Sequence, residues 1–236
     1  MLDVEGTTTP IEFVYEVLFP FARRHVREFI GRQRHSEEVF ACLSRLKEEH
    51  RADVEKGLAP PAWQEGSDEL LAESVAAYVH RLMDEDRKST ALKFLQGKIW
   101  KAGYLDGSLR APVDGDVPRA FARWRVQGRG IHIYSSGSIL AQKLLFTHTT
   151  SGDLTGFIDG YFDTTTGVKT SADSYRSIVT RLGLWAAEVL FISDVAAELD
   201  AAREAGMNTA LGARAGRAEL ETLGHQIIST FDVVFP

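Results

Sequence analysis

A single cysteine, Cys42, occurs among 236 residues. That excludes an internal disulfide and any zinc site built from several thiolates, and it fits a reducing compartment. Long hydrophobic runs are also missing: none could span a bilayer, and the N-terminus lacks the basic-then-apolar pattern of a secretory signal. Excess positive charge is absent as well. The net charge of −6 and pI near 5.7 argue against a general nucleic-acid or anionic-membrane surface. There is no internal repeat and no low-complexity tract. These absences predict a cytoplasmic, soluble protein that engages neither nucleic acid nor membrane; a monomer is the separate expectation for its assembly. What remains is ordinary globular composition, 44% hydrophobic and 25% charged, with length for one large domain or a core with a smaller insert.

The most informative stretch is Leu2-Asp3-Val4-Glu5-Gly6-Thr7-Thr8-Thr9-Pro10. Two acids two residues apart share one face of an extended strand. The glycine, threonines and proline that follow end it in a turn with open backbone N–H groups. Such a stretch suits a site that holds a cation and an oxyanion together, provided the rest of the chain supplies a cationic group and a further carboxylate. Only Met1 and Leu2 precede Asp3, so this strand is expected either to be very short or to begin upstream of Met1 in the natural chain.

Beyond Pro10, apolar spacing predicts helices over Ile11 to Ile30 with a break near Pro20, over Val39 to Lys47, over Ser67 to Asp84, and over Thr90 to Leu105 with interruptions at Gly97 and Gly103. Arg51 to Pro61 reads as a loop. No strand-like run appears between about 11 and 105. Afterwards the pattern alternates. Helices are predicted over Val117 to Arg125, Ile139 to Leu145, Ala172 to Leu182 and Val195 to Glu204, the last closed by Gly206. Between them fall short apolar runs at Ile131 to Tyr134, Phe157 to Asp163, Val189 to Ile192, Met207 to Leu211 and Phe231 to Phe235. Alternating strands and helices imply an α/β fold, a Rossmann-like parallel sheet with helices on both faces. The expected division is a core of residues 1–12 and 106–236 with a helical insert, 13–105.

Ligands of such sheets bind at the carboxyl ends of the strands. Three of those ends carry polar clusters: Asp3/Glu5, Ser135/Ser136 and Ser193/Asp194. Side by side, they would form one crevice in which Asp3 and Asp194 could share a hard cation such as magnesium. Ser136, at a helix entrance, suits an anion, and Lys169 in a polar loop could neutralise phosphate charge. Each group also has a plainer role. Asp3 and Glu5 could be solvated residues at a turn. Ser135 to Ser138 could be a simple strand-to-helix loop with Ser138 as N-cap. Asp194 could cap the next helix, and Glu198, on the same helix face, could be a solvated charge. Lys169 alone says almost nothing. The conjunction of all parts at the right ends of the right elements favours a site.

Asp3-Val4-Glu5-Gly6-Thr7-Thr8, Ser135-Ser136, Lys169 and Ser193-Asp194 resemble, in order, the four motifs of haloacid dehalogenase superfamily phosphatases. Most members carry Asp where this chain has Glu5. That change, with Thr7-Thr8-Thr9-Pro10-Ile11, His148-Thr149-Thr150 and the run Gly160 to Gly167, is similar to the enolase-phosphatases of methionine salvage, over nearly the whole length.

The resemblance implies a haloacid dehalogenase-like core with an inserted helical cap. It implies Asp3 as nucleophile forming an aspartyl-phosphate, and Glu5 as acid and then base. Ser135, Ser136 and Lys169 would bind the substrate phosphate. One magnesium ion per chain would be held by Asp3, Asp194 and the backbone carbonyl of Glu5. The substrate would be a small-molecule phosphate ester, 2,3-diketo-5-methylthiopentyl-1-phosphate, enolised and then dephosphorylated to an acireductone. Phe13, Tyr15, Trp100 and Tyr104 in the insert are candidates for the methylthio tail, core packing being their other role. The alternatives are another small-molecule phosphatase of the superfamily, or a phospho-acceptor signalling module, against which the large insert argues; an inactive relative is a third. If the natural chain begins upstream, restoring a few apolar residues before Met1 should raise the melting temperature. An unchanged value on extension would refute this.

Overall fold

In the computed structural model, which describes residues 1–214 and 224–236, the sheet is joined through Leu2. It forms parallel bridges to Ile133 on one side and Ile192 on the other. Leu2 N–H donates to His132 O and Tyr134 N–H to Leu2 O, both at 2.9 Å. On the other side Asp3 N–H donates to Ile192 O at 2.9 Å and Ile192 N–H to Met1 O at 3.1 Å. The flanking strands are β1 (His132–Tyr134), parallel to β2 (Gly160–Phe162), and β3 (Leu190–Ser193), parallel to β4 (Asn208–Gly212) and then β5 (Gln226–Ile228). These strand pairings are all parallel, which requires crossover connections, and α6 (Ile139–Thr147) supplies the one from β1 to β2 and α8 (Ala196–Glu204) the one from β3 to β4.

Alternation along the strands explains why both faces are covered. Met1, Tyr134 and Phe191 join a buried cluster with Tyr175 and Ile178 of α7 (Ala172–Leu182) and Leu199 and Ala202 of α8 (Ala196–Glu204). The next residues in register, Leu2, Ile133 and Ile192, point the opposite way and are equally buried. α5 (Asp116–Val126) buries Val117, Phe121 and Trp124, and α6 (Ile139–Thr147) packs near β2. A parallel sheet apolar on both sides is the α/β layering expected from the alternating strands and helices.

The chain divides into two compact units, Met1–Val14 with Leu109–Pro236, and Tyr15–Ser108. Residues 215–223, within the core range expected from sequence, lie outside the described residues. The second unit is wholly helical: α1 (Phe19–Gln33), α2 (Glu37–Glu55), α3 (Asp68–Asp84) and α4 (Thr90–Leu105). α1 packs on α3 and α4, and α2 on α4. Ser67 and Ser89 cap α3 and α4, accepting from Leu70 N–H and Leu92 N–H.

Several local expectations need correction. Pro20 does not break its helix. The chain stays helical from residue 11 to 33, winding through a π-helical stretch, Phe13–Leu18, just before Pro20, where the change of winding already interrupts the regular i→i−4 ladder that a proline cannot join. α2 continues through the expected loop to Glu55, because buried Asp53 receives the Tyr78 hydroxyl at 2.9 Å and the Arg87 guanidinium. α4 is uninterrupted at Gly97 and Gly103. Burial of Leu92, Leu95 and Ile99 offsets the roughly 1 kcal/mol that each glycine costs a helix. Phe231 to Phe235 is not a strand. Phe231 N–H donates to Asp116 and Asp232 N–H to Thr230 Oγ1, so these donors bond side chains and Phe231–Val233 coils into a 3₁₀ turn. The fifth strand is Gln226–Ile228 instead. Among the aromatic candidates, Phe13 and Tyr104 are core residues, Trp100 donates to Leu18 O at 2.7 Å, and Tyr15 is exposed.

Because Leu2 is buried between two strands, Leu2→Ala should cost about 3 kcal/mol in denaturant unfolding. Leu140→Ala, at a position 37% exposed, should stay within about 0.5 kcal/mol.

Candidate active site

Three adjacent strand ends deliver the polar groups. Asp3 follows Leu2, Ser135 follows β1, and Asp194 follows β3. After Asp3 the chain closes at once into a turn. Thr7, Thr8 and Thr9 N–H groups all point at Val4 O (3.0–3.3 Å), and Gly6 N–H donates to Thr9 O at 2.8 Å. Gly6 is required here twice over. Its φ of +72° is left-handed, and a Cβ would stand 2.2 Å from Asp194 Oδ2. Its bare backbone therefore makes room for the Asp194 carboxylate.

The centre of the site is an ion-paired cluster withdrawn from water: Asp3 is 3% exposed, Lys169 and Asp194 6%, and Glu198 8%. Lys169 Nζ lies 2.7 Å from Asp3 Oδ1 and 2.6 Å from Glu198 Oε2. Asp3 Oδ1 also accepts from Val4 N–H at 2.7 Å. The Ser193 hydroxyl sits 3.2 Å from Asp3 Oδ2 and 3.0 Å from Glu198 Oε2, one proton facing two carboxylates, while its oxygen accepts Val195 N–H at 3.1 Å. On the other side of Asp3, Ser135 donates to Glu5 at 3.2 Å and accepts Gly137 N–H at 3.0 Å.

Sequence expectation and geometry agree in part. Asp3 pairs with Lys169 and Glu5 with Ser135, and Asp194 lies against Gly6. Ser136 is exposed on the loop beside Ser135, and Ser138 caps α6 by accepting Ala141 N–H. Glu198 is not the solvated charge that its helix position suggested; it is the second partner of Lys169. Its one signal in sequence was the four-residue step from Asp194. Arg214 also escaped notice. It donates to Thr7 O at 3.0 and 2.8 Å and pairs with Asp116 at 2.7 Å, and nothing in its flanking residues marks a partner 207 positions away.

The electrostatics follow from crowding. Burial, and then the Asp3 charge, push Glu5 up to about 6 and Glu198 up to about 7. Burial opposes the charge of Lys169, but Asp3 and Glu198 more than offset it and hold its pKa above the usual value. Four acids and one lysine leave a surplus of negative charge. Among the described residues no group of three His, Cys, Asp or Glu side chains could hold a metal alone. Two carboxylates, Asp3 and Asp194, with the Glu5 carbonyl are a donor set that suits magnesium, which keeps waters and phosphate oxygens in its remaining positions.

Residues 1–206 match the family model of haloacid dehalogenase-like hydrolases. Enolase-phosphatase E1 of Synechococcus elongatus is 46% identical over 98% of this chain and 95% of its own. The protein of that name from Sorangium cellulosum is 44% identical over 100% and 96%. The chain belongs to the haloacid dehalogenase-like hydrolases, in the enolase-phosphatase E1 family. Among solved structures, the UTR4 protein of Saccharomyces cerevisiae superposes with a TM-score of 0.80 at 34% identity, covering 99% of this chain and 97% of the other. Membership in this hydrolase family removes the support for a phospho-acceptor signalling module.

Both perturbed acids bind a proton more tightly folded than unfolded, where the value is near 4.5. Their protonated forms stabilise the fold fully below that pH, and the contribution is lost as pH rises through about 6 and about 7. Melting temperature in EDTA should therefore fall from pH 5 to 8. Glu198→Gln should flatten the fall and melt higher than wild type at pH 8; an equally steep fall would show that Glu198 ionises without penalty.

Proposed function

We propose that this chain is a magnesium-dependent enolase-phosphatase of methionine salvage. It converts 2,3-diketo-5-methylthiopentyl-1-phosphate to the acireductone 1,2-dihydroxy-3-keto-5-methylthiopentene, by enolisation and then dephosphorylation. The observation that carries this proposal is a buried Asp3 carboxylate with Lys169 at 2.7 Å, in a chain 46% identical to an enolase-phosphatase. The free thiol of Cys42 is buried, which suits the cytoplasm.

Asp3 is the nucleophile: its ionised oxygen attacks phosphorus, the P–O bond to the substrate breaks, and an aspartyl-phosphate forms. Lys169 and the hydroxyls of Ser135 and Ser136 hold the phosphoryl oxygens. Glu5, raised to about 6, is poised near neutrality to give its proton to the departing enol oxygen. It then takes a proton from the water that attacks the aspartyl-phosphate, releasing inorganic phosphate and restoring Asp3. When bound, one magnesium ion per chain, held by Asp3, Asp194 and the Glu5 carbonyl, supplies the positive charge that lets a carboxylate approach a phosphate. The longer reach of Glu5, compared with the aspartate usual in the superfamily, suits an enol leaving group.

Phosphate release from the diketo phosphate should require magnesium and fall at least about 1000-fold in Asp3→Asn. Substantial turnover in that variant would sink the nucleophile assignment. Gly6→Ala drives a Cβ into the Asp194 carboxylate and should raise the magnesium concentration for half-maximal activity about 10- to 100-fold. An unchanged requirement would remove Asp194 from the metal site.

A further inference from the structure

Lys169 sits on a stretch with no secondary structure of its own. Residues 167–169 belong to neither a strand nor a helix, and Val168 is exposed. Yet the four-carbon side chain of Lys169 must bring its ammonium within 2.6–2.7 Å of two buried carboxylates at once. A flexible stem on a loose backbone would not hold that geometry, because each freely rotating bond spreads the ammonium over several positions.

The backbone is gripped from within the core. Gly167 O accepts the Tyr134 hydroxyl at 3.0 Å, Val168 O accepts the Ser174 hydroxyl at 2.8 Å, and Lys169 O accepts the Tyr175 hydroxyl at 2.7 Å. Three consecutive carbonyls thus each receive a side-chain hydroxyl, from the end of β1 and the first turn of α7. All three donors are buried. Tyr134 and Tyr175 meet edge to face at 5.6 Å, and Tyr175 lies 5.3 Å from Phe191, so the rings are fixed by the same cluster that packs α7 on the sheet. The grip leaves no slack at Gly167. Its φ is +147°, and a Cβ there would meet Ser174 Oγ at 2.1 Å. Packing needs only the aromatic rings; a hydroxyl buried without a partner is costly, and these find theirs on the lysine loop. The Tyr134 ring does a second service, its centroid lying 5.8 Å from Lys169 Nζ.

We propose that Tyr134, Ser174 and Tyr175 are positioning residues for Lys169, a three-hydroxyl grip that fixes where the ammonium stands relative to Asp3. This deepens the proposed phosphatase function and rests on the role given to Lys169 there. A hydrogen bond that serves stability alone would affect melting; a positioning bond acts on the reaction only through Lys169.

The test is a double-mutant cycle read in single-turnover phosphate release. Tyr175→Phe and Ser174→Ala should each slow release about 10-fold or more, the cost of displacing a charged group by a fraction of an ångström. Combined with Lys169→Met, neither should slow release beyond Lys169→Met alone. A Tyr175→Phe protein as fast as wild type, or losses that multiply in the Lys169→Met background, would overturn the proposal. A second measurement does not depend on the reaction. In protein labelled with ¹⁵N at lysine side chains, the ammonium signal that vanishes in Lys169→Met reports the pairing with Asp3 and Glu198. It should broaden or shift in Tyr175→Phe, and an unchanged signal would overturn the proposal. Failure of the wild-type protein to release phosphate from the diketo phosphate would instead sink the proposed function, with the ammonium signal still deciding the grip.

Discussion

One ammonium held between two carboxylates, out of water, is the interaction on which the site depends. Lys169 joins Asp3, at the carboxyl end of the segment in the middle of the sheet, to Glu198 in the first turn of α8. Without that cation, Asp3 and Glu198 would stand close and unpaired in a low-dielectric interior, which costs several kcal/mol per charge. Even with it, the surplus of negative charge raises Glu5 and Glu198. The same surplus is what the proposed magnesium ion would offset, so a property that is a burden on folding would become useful for binding.

The sheet is arranged to create this crowding. A parallel sheet places all its carboxyl ends along one edge, and the segment around Leu2, by pairing with both β1 and β3, brings Asp3 between Ser135 and Ser193. The Gly6 turn then ends the segment and keeps a space that only a residue without Cβ leaves open for Asp194. Packing and chemistry are coupled through the same residues: Tyr134 and Tyr175 belong to the core cluster by their rings and to the lysine loop by their hydroxyls.

Much of this was legible from residues alone. Periodicity located α5, α7 and α8 and the strands at 132–134 and 190–193 nearly to the residue, because those segments lie on a buried sheet whose demands are local and repetitive. Misreadings came where a distant group overrode local preference. α2 runs on through Asp53 because Tyr78 and Arg87 satisfy it. The stretch after Thr230 coils because Asp116 takes a backbone donor that a strand would have used.

For the site the division is similar. Asp3, Glu5, Ser135, Lys169 and Asp194 were readable because strand ends and a Gly/Thr turn are written in consecutive residues, and the order of those motifs named the family. Glu198 and Arg214 were not, and neither was the hydroxyl grip on residues 167–169. Their roles lie in which carbonyl or ammonium they meet, at separations from six positions of chain to 207, and no local pattern encodes that. Sequence determined which chemistry this protein carries. Only the tertiary structure decided which charges share a proton, which share a cation, and what holds Lys169 in place, because those are matters of distance and burial, and both are settled by packing.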